Sequence, residues 1–227
     1  MKRGSLLRTF AGLAAAGGGA LAAYVWLIRP WHLRWGATDD EVRRPMLLDE
    51  EVTRPTYVTN RAITINALPE DIWPWLAQMG ELPRGGFYSY EWIERLQGMR
   101  VRSAGRILRE FQQPEVGDVL DRRGNMVVKA IEPNRTLVLG PPPLPDLEAT
   151  WALSLYPVDE GRTRLVSRVR GRLGKTPKGL LWMLLLDPGQ FIMERKMLLE
   201  IKRRAESLAR QRGERLRALP DADHSGW

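Results

Sequence analysis

The stretch EATWALSLYPVDEGRTRLVSRVRGRL, residues 148–173, alternates with period two on both sides of an Asp-Glu-Gly turn. Successive side chains of a strand point to opposite faces. Trp151, Leu153 and Leu155 therefore share one face, and Leu165, Ser167 and Val169 share one after the turn. Arg164, Arg168, Arg170 and Arg172 mostly take the other side, together with Val166. A hairpin of this kind has one face to bury and one face expected in water. Two strands are not stable alone, so the apolar face must meet further strands and a covering element.

The chain supplies both. TYVTNRAITINA (56–67) reads as a strand rich in β-branched residues. GDVLDRRGNMVVKAIEPNRTLVLG (117–140) reads as three short strands divided by the turn sequences RRGN and EPNR. The covering element follows Asp187-Pro188-Gly189, where Ile192, Met193, Met197, Ile201, Ala205 and Leu208 recur at helical spacing opposite a charged side. GLLWMLLL (179–186) is too short to cross a bilayer and reads as the helix's first part or as a cover. Two short helices are expected earlier: LPEDIWPWLAQM (68–79), with Pro69 at the first helical position, and YSYEWIERLQG (88–98), closed by Gly98. Between and within them, DIWPWLAQMGELPRGGFYSYEW (71–92) concentrates tryptophan, other aromatics and proline around a Gly-Gly turn. That much rigid apolar surface, without a catalytic pairing, reads as one wall of a cavity for an apolar ligand.

The N-terminus is a separate object. Thr9 to Ile28 carries no charge, behind a start containing Lys2, Arg3 and Arg8. A helix of that length matches the thickness of a bilayer core, so a single-pass membrane anchor is the leading reading. The basic flanks lean slightly toward the domain lying outside the cytoplasm. The alternatives are a cleaved signal peptide, from the small residues Ala20-Leu21-Ala22, and a buried helix of a soluble domain, which twenty uncharged residues beside a basic tip disfavour. The expected organisation is an N-terminal anchor or signal segment at 1–30, a connecting segment at 31–55, the folded domain at 56–211 and a disordered tail at 212–227. In the connecting segment, Thr38 is a helix cap before Asp39, Asp40 and Glu41.

Composition removes several chemistries. There is no cysteine, so disulfides, thiolate metal sites and cysteine nucleophiles are excluded. His32 and His224 are the only histidines, one beside the N-terminal run and one in the tail. That disfavours a Ser–His system and a histidine metal site, and no cofactor or metal is expected. The formal charge is +8, and residues 194–217 alone hold nine Lys or Arg against four Glu. Alternating Glu and Arg on an amphipathic helix indicates a solvated face rather than a nucleic-acid surface.

The order strand, two short helices, further strands, long C-terminal helix is that of a helix-grip fold. ALPEDIWPWLAQMG, RGGFYSYEWIERLQG, EVGD, RTRLVSRVRGRL and FIMERKMLLEIKRRAE resemble the SRPBCC family, the superfamily of START and Bet v 1-like domains that includes polyketide cyclase/dehydrase-like members. The resemblance covers roughly residues 31–211. It implies an α+β fold in which a curved antiparallel sheet of about seven strands wraps around the C-terminal helix, with a hydrophobic cavity between them. It implies binding of a lipid or other apolar small molecule, with membrane attachment through the N-terminal segment. It carries over no catalytic residue.

Inward positions nominate Tyr88, Trp92, Trp151, Leu153, Leu165, Ser167, Met193 and Met197 as ligand-binding residues. The same positions would look identical if they simply filled a core. The alternative function is an enzyme of the polyketide cyclase/dehydrase type acting on an apolar substrate. For that chemistry Glu91, Glu94 and Tyr88, on the second short helix, are the candidate acid or base.

Overall fold

The computed structural model describes residues 18–19, 21–142, 148–172 and 187–217. Five strands form one antiparallel sheet: β1 (Tyr57–Ile65), β2 (Val127–Glu132), β3 (Thr136–Gly140), β4 (Ala149–Asp159) and β5 (Arg162–Gly171). Their spatial order is β1-β5-β4-β3-β2. The helices are α1 (Arg29–Leu33), α2 (Asp39–Arg43), α3 (Pro69–Ala77), α4 (Glu91–Leu96) and the long α5 (Asp187–Arg217). The expected β4–β5 hairpin is present, with Leu153 opposite Ser167 and Leu155 opposite Leu165.

About seven strands were expected and the described residues form five. The missing one in the 117–140 region is instructive. Leu120 N–H donates to the Met126 carbonyl and Val128 N–H to that of Asp118, but only Val119 and Val127 form a bridge. Gly117, at φ 98°, turns the chain just before it. The Leu120 carbonyl is then taken by Glu81 N–H rather than by a neighbouring strand.

The sheet's inner face carries the main core. Ile65 from β1, Val128 from β2, Leu137 and Leu139 from β3, Leu153 and Leu155 from β4 and Leu165 from β5 pack with Met197, Leu198, Ile201 and Ala205 of α5. Burying each large aliphatic side chain contributes roughly 1.5–3 kcal/mol. Ile72, Trp73, Trp75, Leu76, Met79, Phe87 and Tyr88 close one side of that core. Pro69 sits in the first turn of α3, as its spacing indicates. α4 ends in a Schellman arrangement: Gly98, at φ 82°, donates to the Arg95 carbonyl and Met99 N–H to that of Glu94.

The outer face departs from expectation. It is not solvated, because residues 36–52 lie across it. Met46 packs with Ala62, Val138, Ala152 and Val166 there. Arg164 donates from Nε to Glu41 Oε1 at 2.7 Å and from Nη2 to the Gly36 carbonyl at 2.8 Å. Arg168 is buried between Asn60, Asp49 and three backbone carbonyls. Thr38 caps α2 through a complete capping box with Glu41. Burial pushes the Glu41 carboxyl up, but the bonds from Arg164 and from Thr38 outweigh it and hold the group below the ordinary glutamate range.

The membrane expectation is overturned. Among the described residues no helix is long and apolar enough to cross a membrane. Residues Tyr24–Ile28, the apolar end of the uncharged run, form a π-helical turn that continues into α1. Pro30 explains the widened turn: it cannot donate to a carbonyl four residues back and its ring crowds that carbonyl. Arg29 N–H donates instead to the Tyr24 carbonyl, five residues back. α1 is then fixed to the domain by Arg29 and the buried His32. The rest of the run, residues 1–17 and 20, lies outside the described residues, as do 179–186, His224 and the tail from 218.

Candidate functional site

One end of the inner face is polar. Side chains at 57, 59, 61, 63 and 65 of β1 share that face, giving Tyr57, Thr59, Arg61, Ile63 and Ile65. Arg61 stands directly opposite Ser167 of β5, and Thr59 opposite Val169. Leu153 neighbours Ser167 on β4. Trp151 Nε1–H donates diagonally to Ser167 Oγ at 2.9 Å. The first half of α5 faces this end with Asp187, Gln190 and Glu194.

Arg61 and Glu194 form a buried ion pair through Nη1 and Oε2. Arg61 Nε–H donates to the His32 carbonyl at 3.0 Å, and the guanidinium lies over the Phe191 ring at 5.3 Å. Beyond these contacts the set is incomplete. Arg61 Nη2, Glu194 Oε1 and Thr59 Oγ1 are buried without a hydrogen-bond partner among the described residues. A buried polar atom left unpaired costs about 1–3 kcal/mol, so three on one patch are unusual in a packed core.

A second cluster adjoins the first at the start of α5. Tyr57 donates to Asp187 Oδ1 at 2.8 Å, and Arg29 Nε lies 3.2 Å from Asp187 Oδ2. His32 Nε2 is 4.0 Å from the same oxygen and 3.2 Å from Tyr24 Oη. His32 is therefore buried at the domain's edge and is not peripheral. Desolvation lowers its pKa, against the pull of Asp187, so the ring is neutral near pH 7.

Of the candidates read from sequence, the structure brings Trp151, Leu153, Leu165 and Ser167 together on the inner face. Met197 is buried on α5 above it and Met193 is half-buried one turn earlier. Trp92 is elsewhere: it is 62% exposed and faces away from the core. Tyr88 is fully buried at φ 58°, accepting from Gln78 Nε2 at 2.9 Å, with Trp75 packed edge-on and the Arg204 guanidinium 4.9 Å above its ring. Burial pushes its phenol pKa up. Gln78 in turn bonds the Arg106 carbonyl and Leu108 N–H. Tyr88 is thus a hub joining the aromatic block to the loop that follows α4.

Glu91 is committed to Arg95 and to Ser103 N–H. Glu94 is not: it is buried, its Oε2 has no hydrogen-bond partner among the described residues, and burial, then Glu91, push its carboxyl up to about 7. Residues missed from sequence are Thr59, Arg61 and Glu194. The signal was present, since Arg61 occupies an inward place in a strand whose other inward residues are mostly apolar.

Two surface cavities of about 590 and 540 Å³ lie away from this patch. The first is bounded by residues 44–47, the start of α3 and the β2–β3 turn. The second runs along the C-terminal half of α5 beside Asn66. Neither includes Thr59, Arg61, Ser167 or Glu194. The basic surface of α5 is largely tied down: Glu200 pairs with Lys196, Arg203 and Arg204. Partial burial raises the Glu200 carboxyl, but these three cations hold it at about 2.

Together, these features define the class: an α+β domain in which a five-stranded antiparallel sheet packs on a long C-terminal helix. No family model matches the sequence, and no curated protein matches it. Solved structures do. Protein MLL2253 from Mesorhizobium loti is 19% identical over 66% of this chain and 98% of its own, with a TM-score of 0.37. The Zhui aromatase/cyclase from Streptomyces sp. R1128 is 14% identical over 69% of this chain and 98% of its own, at 0.38. The di-domain ARO/CYC StfQ of the steffimycin biosynthetic pathway is 15% identical over 73% of this chain, at 0.40. This chain spans 55% of that two-domain protein. Similarity at this level transfers no site and no chemistry.

Proposed function

We propose that the protein binds an apolar small molecule between the inner face of the sheet and α5. The observation that carries this reading is the patch around Arg61: an apolar wall of Trp151, Leu153, Leu165 and Met197 beside fully buried polar atoms that no group among the described residues meets. A core built only for stability would bury apolar atoms there or pair every polar one. Ligand pockets have this mixed lining, mostly apolar with a few placed polar groups. Trp151, Leu153, Leu165, Ser167, Met193 and Met197 are the proposed contacts, and Met suits a ligand of variable shape. Native mass spectrometry of freshly purified protein, with solvent extraction of the same sample, tests the reading. The expected result is a retained apolar molecule of a few hundred daltons. Only the bare chain mass, together with no uptake of added apolar probes, would contradict it.

A second reading is supported by Glu94. Its buried carboxyl, unpaired and raised to about 7, has the protonation range of a general acid or base. On that reading the domain is an enzyme acting on an apolar substrate of the polyketide kind. Glu94→Gln should then abolish turnover of such a substrate while leaving its binding unchanged; undiminished turnover would reject the role.

A further inference from the structure

We infer that the patch formed by Thr59, Arg61, Ser167 and Glu194 is a subsite for the neutral hydroxyl of an apolar ligand, an alcohol or a phenol rather than a carboxylate. This rests on the proposed binding reading and names the chemistry of its polar end.

Arg61 and Glu194 are paired and buried. Asp187, fully buried beside them, has its charge offset by Arg29 at 3.2 Å, although neither Arg29 Nε nor Asp187 Oδ2 makes a hydrogen bond among the described residues, and desolvation disfavours a charge on His32. The patch is therefore balanced, two cations against two anions. A ligand carboxylate would add a buried charge with no cation left to meet it, which is strongly unfavourable. A ligand without polar atoms would leave the unpaired groups as they are.

Arg61 Nη2 is a donor only, and Glu194 Oε1 is an acceptor only. Both are unpaired and belong to the two partners of one ion pair. A hydroxyl is the smallest group that answers both, accepting from Nη2 while donating to Oε1. A ketone answers only the donor. Thr59 Oγ1, two residues along the same face, is also buried and unpaired. The Ser167 hydroxyl, opposite Arg61, accepts from Trp151 and keeps its own proton to donate. The surrounding apolar wall then takes the rest of the molecule.

Naphthalene, 2-naphthol and 2-naphthoate test this, titrated separately into the full chain at pH 7 by calorimetry. 2-Naphthol is expected to bind at least about tenfold more tightly than naphthalene, which leaves the built polar groups unpaired, and than 2-naphthoate, which buries an unmatched charge. Glu194→Gln, which removes the balancing negative charge, is expected to shift the preference toward 2-naphthoate. Should that variant not fold, Arg61→Met/Glu194→Met replaces the pair with apolar side chains of similar volume, a change such pairs tolerate. It is expected to keep naphthalene binding and lose the preference for 2-naphthol. Equal binding of naphthalene and 2-naphthol by the wild type would overturn the hydroxyl subsite while leaving the apolar-binding reading intact. Tighter binding of 2-naphthoate would overturn the charge argument. Failure of all three to bind would overturn both the subsite and the reading beneath it.

Discussion

Two arginines point to opposite faces of one sheet, and both are buried. Arg168, on the outer face, uses all five of its N–H groups: Nε reaches Asn60 Oδ1, Nη1 reaches Asp49 Oδ2 and the Arg44 carbonyl, and Nη2 reaches the carbonyls of Glu41 and Val42. Arg61, on the inner face, has the same chemistry and deeper burial, yet its Nη2 has no hydrogen-bond partner among the described residues. The first guanidinium clamps residues 41–49 onto the sheet and is complete. The second is held at Nε and Nη1 and left open at the far end. Burial alone therefore does not separate structure from function; the distinguishing feature is whether the buried group's hydrogen-bonding capacity is used up.

The comparison can be broken by substitution. Arg168→Met should be the most damaging change, costing about 3–5 kcal/mol in urea denaturation, because Asp49, Asn60 and three carbonyls each lose a buried donor at once. If it cost less than the inner-face changes below, the clamp role would be wrong.

A pH series sharpens the contrast between used and unused groups. Glu94 is raised in the folded state, so the stability its protonated form contributes is full below the ordinary glutamate pKa and is lost as pH rises through about 7. Between pH 4.5 and pH 8.5 the wild type should lose roughly 2–3 kcal/mol more than Glu94→Gln. Parallel pH profiles for the two proteins would show that Glu94 is not held in an apolar site.

Arg61→Met/Glu194→Met should cost less than about 2 kcal/mol, since both charges leave together and only the His32 carbonyl is stranded. A loss as large as that of Arg168→Met would make the inner pair a structural clamp like the outer one. The smallest effect is expected for Thr59→Val, within about 1 kcal/mol of wild type in the ligand-free protein, because its hydroxyl has no partner to lose. Thr38→Ala, which removes a capping hydroxyl that is used, should cost about 1 kcal/mol.

How much of this was legible depended on the range of the interaction. The β4–β5 hairpin, the Thr38 cap, Pro69 in the first turn of α3 and the apolar stripe of α5 follow from local alternation, capping chemistry and helical spacing. The outer face did not, because a strand's polar side looks the same whether water or residues 36–52 cover it. Trp92 was misplaced for a related reason: α4 has six residues, too few turns for its periodicity to fix which side faces inward. The N-terminal run resembled a membrane span by length and lack of charge, but its end at Tyr24–Ile28 leads into α1, which Arg29 and His32 dock on Asp187. Arg61 was readable from the alternation of β1. Its partner Glu194 lies far along the chain, and the pairing depends on how α5 crosses the sheet.

On the proposed reading, a ligand sits beside Arg61 on the inner face. Nitrogen-15 NMR of the arginine Nε–H groups during a 2-naphthol titration tests it most directly. The Arg61 signal should shift with a single saturable binding curve while the Arg168 signal stays in place. An unmoved Arg61 signal at saturation, or a shift confined to Arg168, would contradict it.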